Sequence, residues 1–359
     1  MTIHQSYWSL DITEQANEIK SSDLLNKLRV NYIGYLSAPI GLGAGARNYL
    51  TALWKKGWKN INCVDATFAT NHTQTESIPY YNASSMKPAD INIIHINAYD
   101  LPHITEQLGE RYFKNTYNIG VWAWETSELP KAWHDRFDRL NEIWTLSSFV
   151  NNAIAKFTVC PVITTPYIIP TINNQANRNA FGLNKDDFIF LFNFDYESIQ
   201  HRKNPHAVIE AFRFAFANKS NQARLVIKTS NHQYHLGAVS QLQSLAQGLR
   251  VTFINELFSA GKQHELIASC DCYVSLHRAE GLGLGMAEAM SLGKPVIATG
   301  WSGNTDFMNI SNALLVNYEL RPTETPISIY PAGTVWAEAN IEHAATIMYR
   351  LYCNPEKYQ

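Results

Sequence analysis

Between Asp271 and Thr299 the chain passes from an apolar strand pattern, DCYVSLH, through a turn carrying three glycines, into a short helical pattern, MAEAMSLG, and on to a second apolar strand pattern, KPVIAT. Strands alternating with helices in this way indicate parallel pairing, for which the helix supplies the crossover length. A parallel pair must be covered on both faces, so this stretch commits its surroundings to an α/β architecture. Gly281, Gly283 and Gly285 let backbone N–H groups come close to a ligand. The following helix points its positive end at the same place. Glu280 and Glu288 bracket the turn. Two carboxylates beside an anion-friendly helix end suit hydroxyl groups, as on a sugar or a ribose, better than phosphate. The plainer alternative is a helix-capping acid and a surface acid.

The same alternation runs through the rest of the chain. VNYIGYLS, NINCVD, INIIHIN, YNIGVWAW and NEIWTLS read as strands, interleaved with the helices RNYLTALWKKG and SFVNNAIAKF. A second series follows, FIFLFNF, RLVIKTS, RVTFINE and DCYVSLH, interleaved with NPHAVIEAFRFAFA, GAVSQLQSLAQGL and KQHELIASC. Between the two lies PVITTPYIIPTINNQANRNAFG, rich in Pro and Asn and without helical period, which reads as a linker. With 359 residues, almost half of them apolar, the chain can build two full cores. The expectation is an α/β protein of two Rossmann-like, doubly wound parallel-sheet domains, residues 1–170 and 171–359. Residues 1–29 read as a polar leader and a short helix capped by Ser22. A last amphipathic helix is expected over TVWAEANIEHAATIMYRLY, with Ile341, Ala344, Ile347, Met348 and Leu351 on its apolar face.

Within EGLGLGMAEAMSLGKPVIAT, the spacing of Glu280 and Glu288, the glycines between them and the Gly-Lys-Pro-Val start of the next strand resemble the Glu-x7-Glu signature of family-4 retaining glycosyltransferases (glycosyl transferases group 1) of the GT-B fold. That resemblance implies two domains facing a cleft, with the donor, a nucleotide-diphosphate sugar, on the second domain and the acceptor on the first. It implies that Glu280 approaches the donor sugar and Glu288 holds the ribose. The backbone of Gly281, Leu282, Gly283 and Leu284 would face the donor. A Lys followed by Gly or Asn usually neutralises the donor diphosphate in that family, and Lys203-Asn204 matches it. The usual Gly-Arg pair shortly before is replaced by Phe194-Asp195, which makes Arg202 the candidate for the missing charge. Cations at a helix start oppose the helix dipole, and that frustration argues for a bound anion. The plain alternative is a solvated cation pair. Lys228, near the end of its strand, is a further candidate for the same anion.

Other candidates carry evenly weighted alternatives. Gly41-Leu42-Gly43-Ala44-Gly45-Ala46 reads as a glycine loop between strand and helix. With Gly43 and Gly45 it would close over the donor diphosphate in the resemblance. It also fits the dinucleotide fingerprint G-x-G-x-x-A, with Asp65 about 20 residues on for a ribose. A nicotinamide-dependent oxidoreductase is therefore a competing reading, as is a non-catalytic glycan-binding relative. Where many family members carry a His, this chain has Trp124-Glu125. Glu125 would orient the acceptor hydroxyl or the donor sugar, with Trp122 or Trp124 as a stacking wall, or it caps a helix near Ser127. His95 and Asn97 end a strand toward the expected cleft, or His95 is a core residue. Ser302, Gly303 and Asn304 form a turn beside the donor sugar in the resemblance, with Asp306 near an acidic position, or they are a plain β-to-α turn.

The net charge of −2 carries no basic excess for a nucleic-acid partner. No apolar run reaches membrane-spanning length, so at most peripheral membrane contact is expected. Five scattered cysteines fit a reducing, cytoplasmic setting, and a glycolipid acceptor would bring the chain to the inner membrane face. No metal motif stands in a convincing place, and no cofactor beyond the donor substrate is expected. The resulting expectation is a metal-independent, retaining hexosyltransferase acting on a glycan or glycolipid hydroxyl in polysaccharide or surface-glycan biosynthesis.

Overall fold

The computed structural model describes residues 27–70, 76–169, 172–217 and 222–358. The leader helix expected near Ser22 lies outside them. Described residues up to Val121, with Arg139–Asn141, form one compact unit; Trp122–Asp138 and the residues from Glu142 onward form a second.

The first sheet contains β1 (Val30–Gly34), β2 (Ile61–Asp65), β3 (Ile91–His95), β4 (Tyr117–Trp122), β5 (Glu142–Thr145) and β6 (Val162–Thr164), in the order β2-β1-β3-β4-β5-β6. β1 pairs in parallel with β2 and β3, β3 with β4, and β5 with β6. β6 lies inside the stretch read as linker: Val162, Ile163 and Thr164 are only partly covered, so this edge strand lacks the apolar run by which the central strands are read. β1 is buried along its whole length, as a central parallel strand must be. Four strands of this sheet begin with an asparagine one step in, and parallel register lines these up. Asn62 Nδ2 donates to Asn31 Oδ1 at 2.8 Å, Asn31 Nδ2 to Asn92 Oδ1 at 2.8 Å, and Asn92 Nδ2 to Asn118 Oδ1 at 2.9 Å. The ladder satisfies polar groups that burial would otherwise leave unpaired. Helices α1 (Gly41–Lys55) and α2 (Leu101–Leu108) belong to this first unit, and α3 (Ser148–Ile154) to the second.

The second sheet runs β12-β11-β10-β7-β8-β9, built from β7 (Phe188–Asp195), β8 (Ala223–Ser230), β9 (Val251–Asn255), β10 (Cys272–Ser275), β11 (Val296–Thr299) and β12 (Leu314–Val316). All its pairings are parallel. Side chains alternate across a strand. Phe190, Phe192 and Phe194 of β7 accordingly join one core with Val208, Phe212 and Met348, while Ile189 and Leu191 join the opposite core with Leu266 and Met286. The covering helices are α4 (Gln200–Lys203), α5 (Pro205–Phe216), α6 (Leu236–Leu245), α7 (Ala260–Ser269), α8 (Leu284–Ser291) and α9 (Ile341–Cys353). The chain leaves β7 toward β8 on one side and returns on the other side as β10. Ligands of open α/β sheets bind beyond the carboxyl ends of the strands at such a switch point.

The last helix is shorter than its apolar spacing suggests. Val335–Ala339 forms strand β14, antiparallel to β13 (Tyr318–Pro322). α9 begins only after Asn340, whose side chain accepts from His343 N at 2.8 Å as an N-cap.

Candidate functional site

The carboxyl ends of β7 and β10 bring two segments of the second unit together. After β7 the chain turns at Ile199 (φ 62°) into the single turn α4, which ends at Asn204 (φ 57°). A β-branched residue at positive φ is rare and costs on the order of 1–3 kcal/mol, so the surrounding structure must hold it. Asn204 repays the bend. Its Nδ2 donates to Leu276 O at 3.0 Å, just past β10, and its side chain caps α5. The turn thereby aims Arg202 and Lys203 at the segment that follows β10.

That segment carries Glu280. Its carboxylate accepts from Lys203 Nζ, and its Oε1 lies 3.1 Å from Arg202 Nη1. Arg202 is 5 % exposed and Glu280 8 %. Arg202 Nη1 also donates to Ala279 O at 2.9 Å, and Nη2 lies 3.8 Å from Glu125 Oε1. Burial pushes the Glu280 carboxyl up, but Lys203, Arg202 and His277 outweigh it and lower its pKa to about 2. Burial pulls the Arg202 guanidinium down, and Glu280 with Glu125 more than restores it. The site therefore holds a buried guanidinium and a partly buried ammonium against an ionised carboxylate, and desolvation lowers the pKa of Lys203 despite Glu280.

The backbone of Glu280 is fixed from both sides. Glu280 N donates to Ser302 Oγ at 2.9 Å, and Gly303 N donates to Glu280 O at 2.9 Å. Ser302 adopts φ 79° to do so. Next along the chain, Gly281 O accepts from Ser147 Oγ at 2.6 Å. A Cβ at Gly281 would meet Trp124 O at 2.8 Å, which explains the glycine. Gly283 (φ 93°) is the N-cap of α8, so Leu284 opens the helix and Leu282 is buried beside it. Glu288 lies on α8 with Oε1 3.3 Å from His264 Nε2. The expected glycine turn and its two acids are thus present, and the structure joins Glu280, Arg202, Lys203, Ser302, Gly303 and Glu125 in one network.

Several candidates are engaged in packing or in other bonds. Lys228 is buried on β8 with Nζ 5.0 Å from the Phe258 ring centroid, and burial lowers its pKa to about 8. Trp124 is buried, its Nε1 donating to Glu128 O at 2.8 Å and its ring packed on Trp133 and Tyr330. Trp122 is buried as well. No helix begins near Ser127; Glu125 instead accepts from the Tyr330 hydroxyl at 3.0 Å. Both carboxylate oxygens of Asp306 are taken by Ser148, from N and Oγ at 2.6 Å each.

In the first unit the segment read as a glycine loop is helical. α1 starts at Gly41, and the loop is the stretch before it. Gly43 is required by packing, since a Cβ there would lie 2.3 Å from Ala38 O. Gly45 is buried in the same helix. Asp65 accepts from Thr67 Oγ1 at 2.6 Å and from Ser37 Oγ, so its oxygens serve the local turn. His95 is buried against Tyr32, whose hydroxyl lies 2.8 Å from its Nδ1, and burial lowers its pKa to about 3. Asn97 O accepts from the backbone N–H groups of Asp100 and Leu101.

Residues around the network also escaped sequence reading, Ser147 among them. Tyr330 is another. A third is His277, buried with Nε2 3.1 Å from Asn304 Oδ1 and 3.2 Å from Trp301 O, and Nδ1 3.0 Å from Ser275 Oγ. Both partners of Nε2 are acceptors, and Nδ1 faces a second one, Ser275 O, at 3.2 Å beside the Ser275 hydroxyl. The strand pattern DCYVSLH made His277 look like a strand end.

Residues 173–315 match the family model described as Glycosyl transferases group 1. No curated protein matches the chain by sequence. Among solved structures, sucrose-phosphate synthase from Thermosynechococcus elongatus superposes with a TM-score of 0.65 at 15 % identity, over 92 % of this chain and 91 % of that one. Anabaena Alr3699/HepE in complex with UDP and glucose gives 0.60 at 13 % identity, over 92 % and 91 %. A mutant of S. aureus TarM in complex with fondaparinux, α-GlcNAc-glycerol and UDP gives 0.52 at 15 % identity, covering 74 % of this chain but only 48 % of that protein. The fold is of the two-domain GT-B, Rossmann-like type, and the resemblance to group 1 glycosyl transferases holds over the matched residues.

Proposed function

We propose that the chain is a retaining glycosyltransferase that moves a sugar from a nucleotide-diphosphate donor to a hydroxyl of a glycan or glycolipid. One observation carries this reading. The buried Arg202 and the partly buried Lys203 both meet Glu280 at the switch point of the second sheet, inside the matched region. Glu280 and Glu125 already balance the pair within this chain, and the reading is that a donor diphosphate joins at Lys203, the more open of the two, whose charge burial still disfavours.

Sugar transfer breaks the bond between the anomeric carbon and the donor phosphate oxygen. Positive charge grows on the sugar and negative charge on the departing diphosphate. Arg202 and Lys203 stabilise the latter, in a place where low dielectric makes each contact stronger than in water. The reading assigns this work to the two side chains rather than to a metal ion. Glu280 accepts from the sugar hydroxyls, and Glu288 on α8 accepts from the ribose. The departing phosphate oxygen takes the acceptor proton on the face it leaves, which gives retention without a strong protein base. The acceptor side is assigned to the first unit, with a cytoplasmic or membrane-peripheral setting if the acceptor is a glycolipid. Among the described residues no helix is long and apolar enough to cross a membrane.

The oxidoreductase reading loses its glycine loop, because Gly41 to Ala46 already lie within helix α1. HepE and TarM were seen with UDP, which makes UDP-sugars the first donors to try. A thermal shift panel of UDP-, GDP- and dTDP-sugars with NAD as control tests the reading. A rise with one sugar nucleotide, followed by a transferred sugar of unchanged anomeric configuration by NMR, is the expected result. A rise with NAD alone sinks it.

A further inference from the structure

Tyr330 comes from the loop between β13 and β14, far in sequence from the residues it serves. It is 1 % exposed. Its hydroxyl donates to Glu125 Oε2 at 3.0 Å, and the other oxygen of Glu125 lies 3.8 Å from Arg202 Nη2. That second separation is an ion-pair distance, too long for a hydrogen bond. Glu125 thus faces the side of the guanidinium away from its bond to Ala279 O. Arg202 Nε has no hydrogen-bond partner among the described residues. Besides backbone and Glu280, the orientation of this guanidinium rests on Glu125.

The loop that presents Tyr330 is itself anchored. Ile327 and Tyr330 exchange backbone bonds at 2.9 and 3.0 Å, and Thr323 N donates to Thr334 O at 2.9 Å. The hairpin is tied to the site through Arg278. Ala337 N donates to Arg278 O at 2.9 Å, Arg278 N donates to Arg202 O at 2.8 Å, and Arg278 Nε pairs with Glu338 at 2.5 Å. The hairpin is thus connected to Arg202 twice, through the backbone of Arg278 and through Glu125.

We infer that Tyr330 is a positioning residue: its hydroxyl fixes Glu125, and Glu125 holds the Arg202 guanidinium in the orientation that receives the donor diphosphate. The inference rests on the reading of Arg202 as a diphosphate ligand. It gives Glu125 a role different from contact with acceptor or sugar. A group held in place before the ligand arrives loses less freedom on binding, so loss of the brace appears in affinity.

Titration calorimetry with UDP, GDP and dTDP on the full chain tests it, using Tyr330→Phe, Glu125→Ala and the double variant. Tyr330→Phe keeps the ring and removes one hydroxyl, so its Tm should stay within about 2–4 °C of wild type. The affinity for the bound nucleotide should fall roughly five- to tenfold. Glu125→Ala should also weaken binding, although removal of a negative charge beside Arg202 would by Coulomb attraction alone strengthen it. In the Glu125→Ala background, Tyr330→Phe should have no further effect on affinity. Unchanged affinity in Tyr330→Phe, tighter binding in Glu125→Ala, or additive losses in the double variant would each overturn the inference while leaving the donor site standing. A wild-type chain that binds none of the three nucleotides removes the parent reading and this inference with it.

Discussion

A Cβ on Gly303 would lie 2.0 Å from the carbonyl oxygen of Gly281. No real side chain tolerates that separation, so the turn after β11 is shaped to receive the glycine turn after β10. The same Gly281 oxygen accepts from Ser147 Oγ, and Gly303 N donates to Glu280 O. Gly303→Ala should therefore displace the backbone that carries Glu280. Overpacking of this kind costs about 1–3 kcal/mol. Thermal unfolding should show a lower Tm together with weaker nucleotide binding; a variant equal to wild type in both would contradict the packing account.

Glu280 is the group whose removal should separate binding from transfer. Glu280→Ala leaves the buried Arg202 with Glu125 alone and the partly buried Lys203 without its carboxylate, and breaking a buried pair costs about 3–5 kcal/mol. We expect transfer to be abolished with a modest loss of nucleotide affinity, since the cations remain for the diphosphate. The check is nucleotide titration beside a transfer assay. Full turnover by this variant would rule out its assigned role.

The same carboxylate makes a pH prediction with a definite sign. Its pKa falls from the 4.5 of an unperturbed glutamate to about 2 in the fold. The stabilisation from this shift is complete above about 4.5 and is lost as pH falls toward about 2. The stability advantage of wild type over Glu280→Gln should shrink across that window, measured by denaturant unfolding at each pH. An advantage that is flat from about pH 5 to about pH 2 would show that Glu280 is not the ionised partner of the two cations.

Lys228 titrates in the opposite part of the scale. Burial lowers its pKa from 10.5 to about 8, so below about 8 the fold carries the full cost of a desolvated ammonium. That cost is relieved as pH rises from about 8 toward 10.5, where the folded amine is neutral while the unfolded one is still charged. Lys228→Met should stabilise the unliganded chain at about pH 7, and the gain should fade between about pH 8 and 10.5. A gain independent of pH would place the effect in packing alone.

How much of this was legible in the sequence depended on how local the cause was. The turn around Gly281 and the acids at 280 and 288 sit in one stretch whose strand, glycines and helix agree with one another, and the structure repeats that order. Lys203-Asn204 was picked out by its likeness to a family pair, whereas the bond of Asn204 to Leu276 O had no local signal. GLGAGA misled because glycines in a loop and glycines in a closely packed helix look alike in sequence; only the approach of Ala38 O to Gly43 separates them. The strand β14 was hidden because Val335, Trp336 and Ala337 satisfy a helical spacing continuous with α9. Asn340 was the available stop signal. The asparagine ladder needed the parallel register before its recurring second-position Asn gained meaning. Tyr330 was out of reach, since its partner Glu125 stands 205 residues away and no periodicity links them.

The most direct measurement is calorimetric titration of UDP, GDP and dTDP into the full chain, wild type against Lys203→Ala. If Arg202 and Lys203 hold a donor diphosphate, wild type binds at least one of the three, and the variant binds it at least about tenfold more weakly, as loss of a charge-assisted contact requires. Equal affinity in the two proteins, or no binding by wild type, would contradict the account.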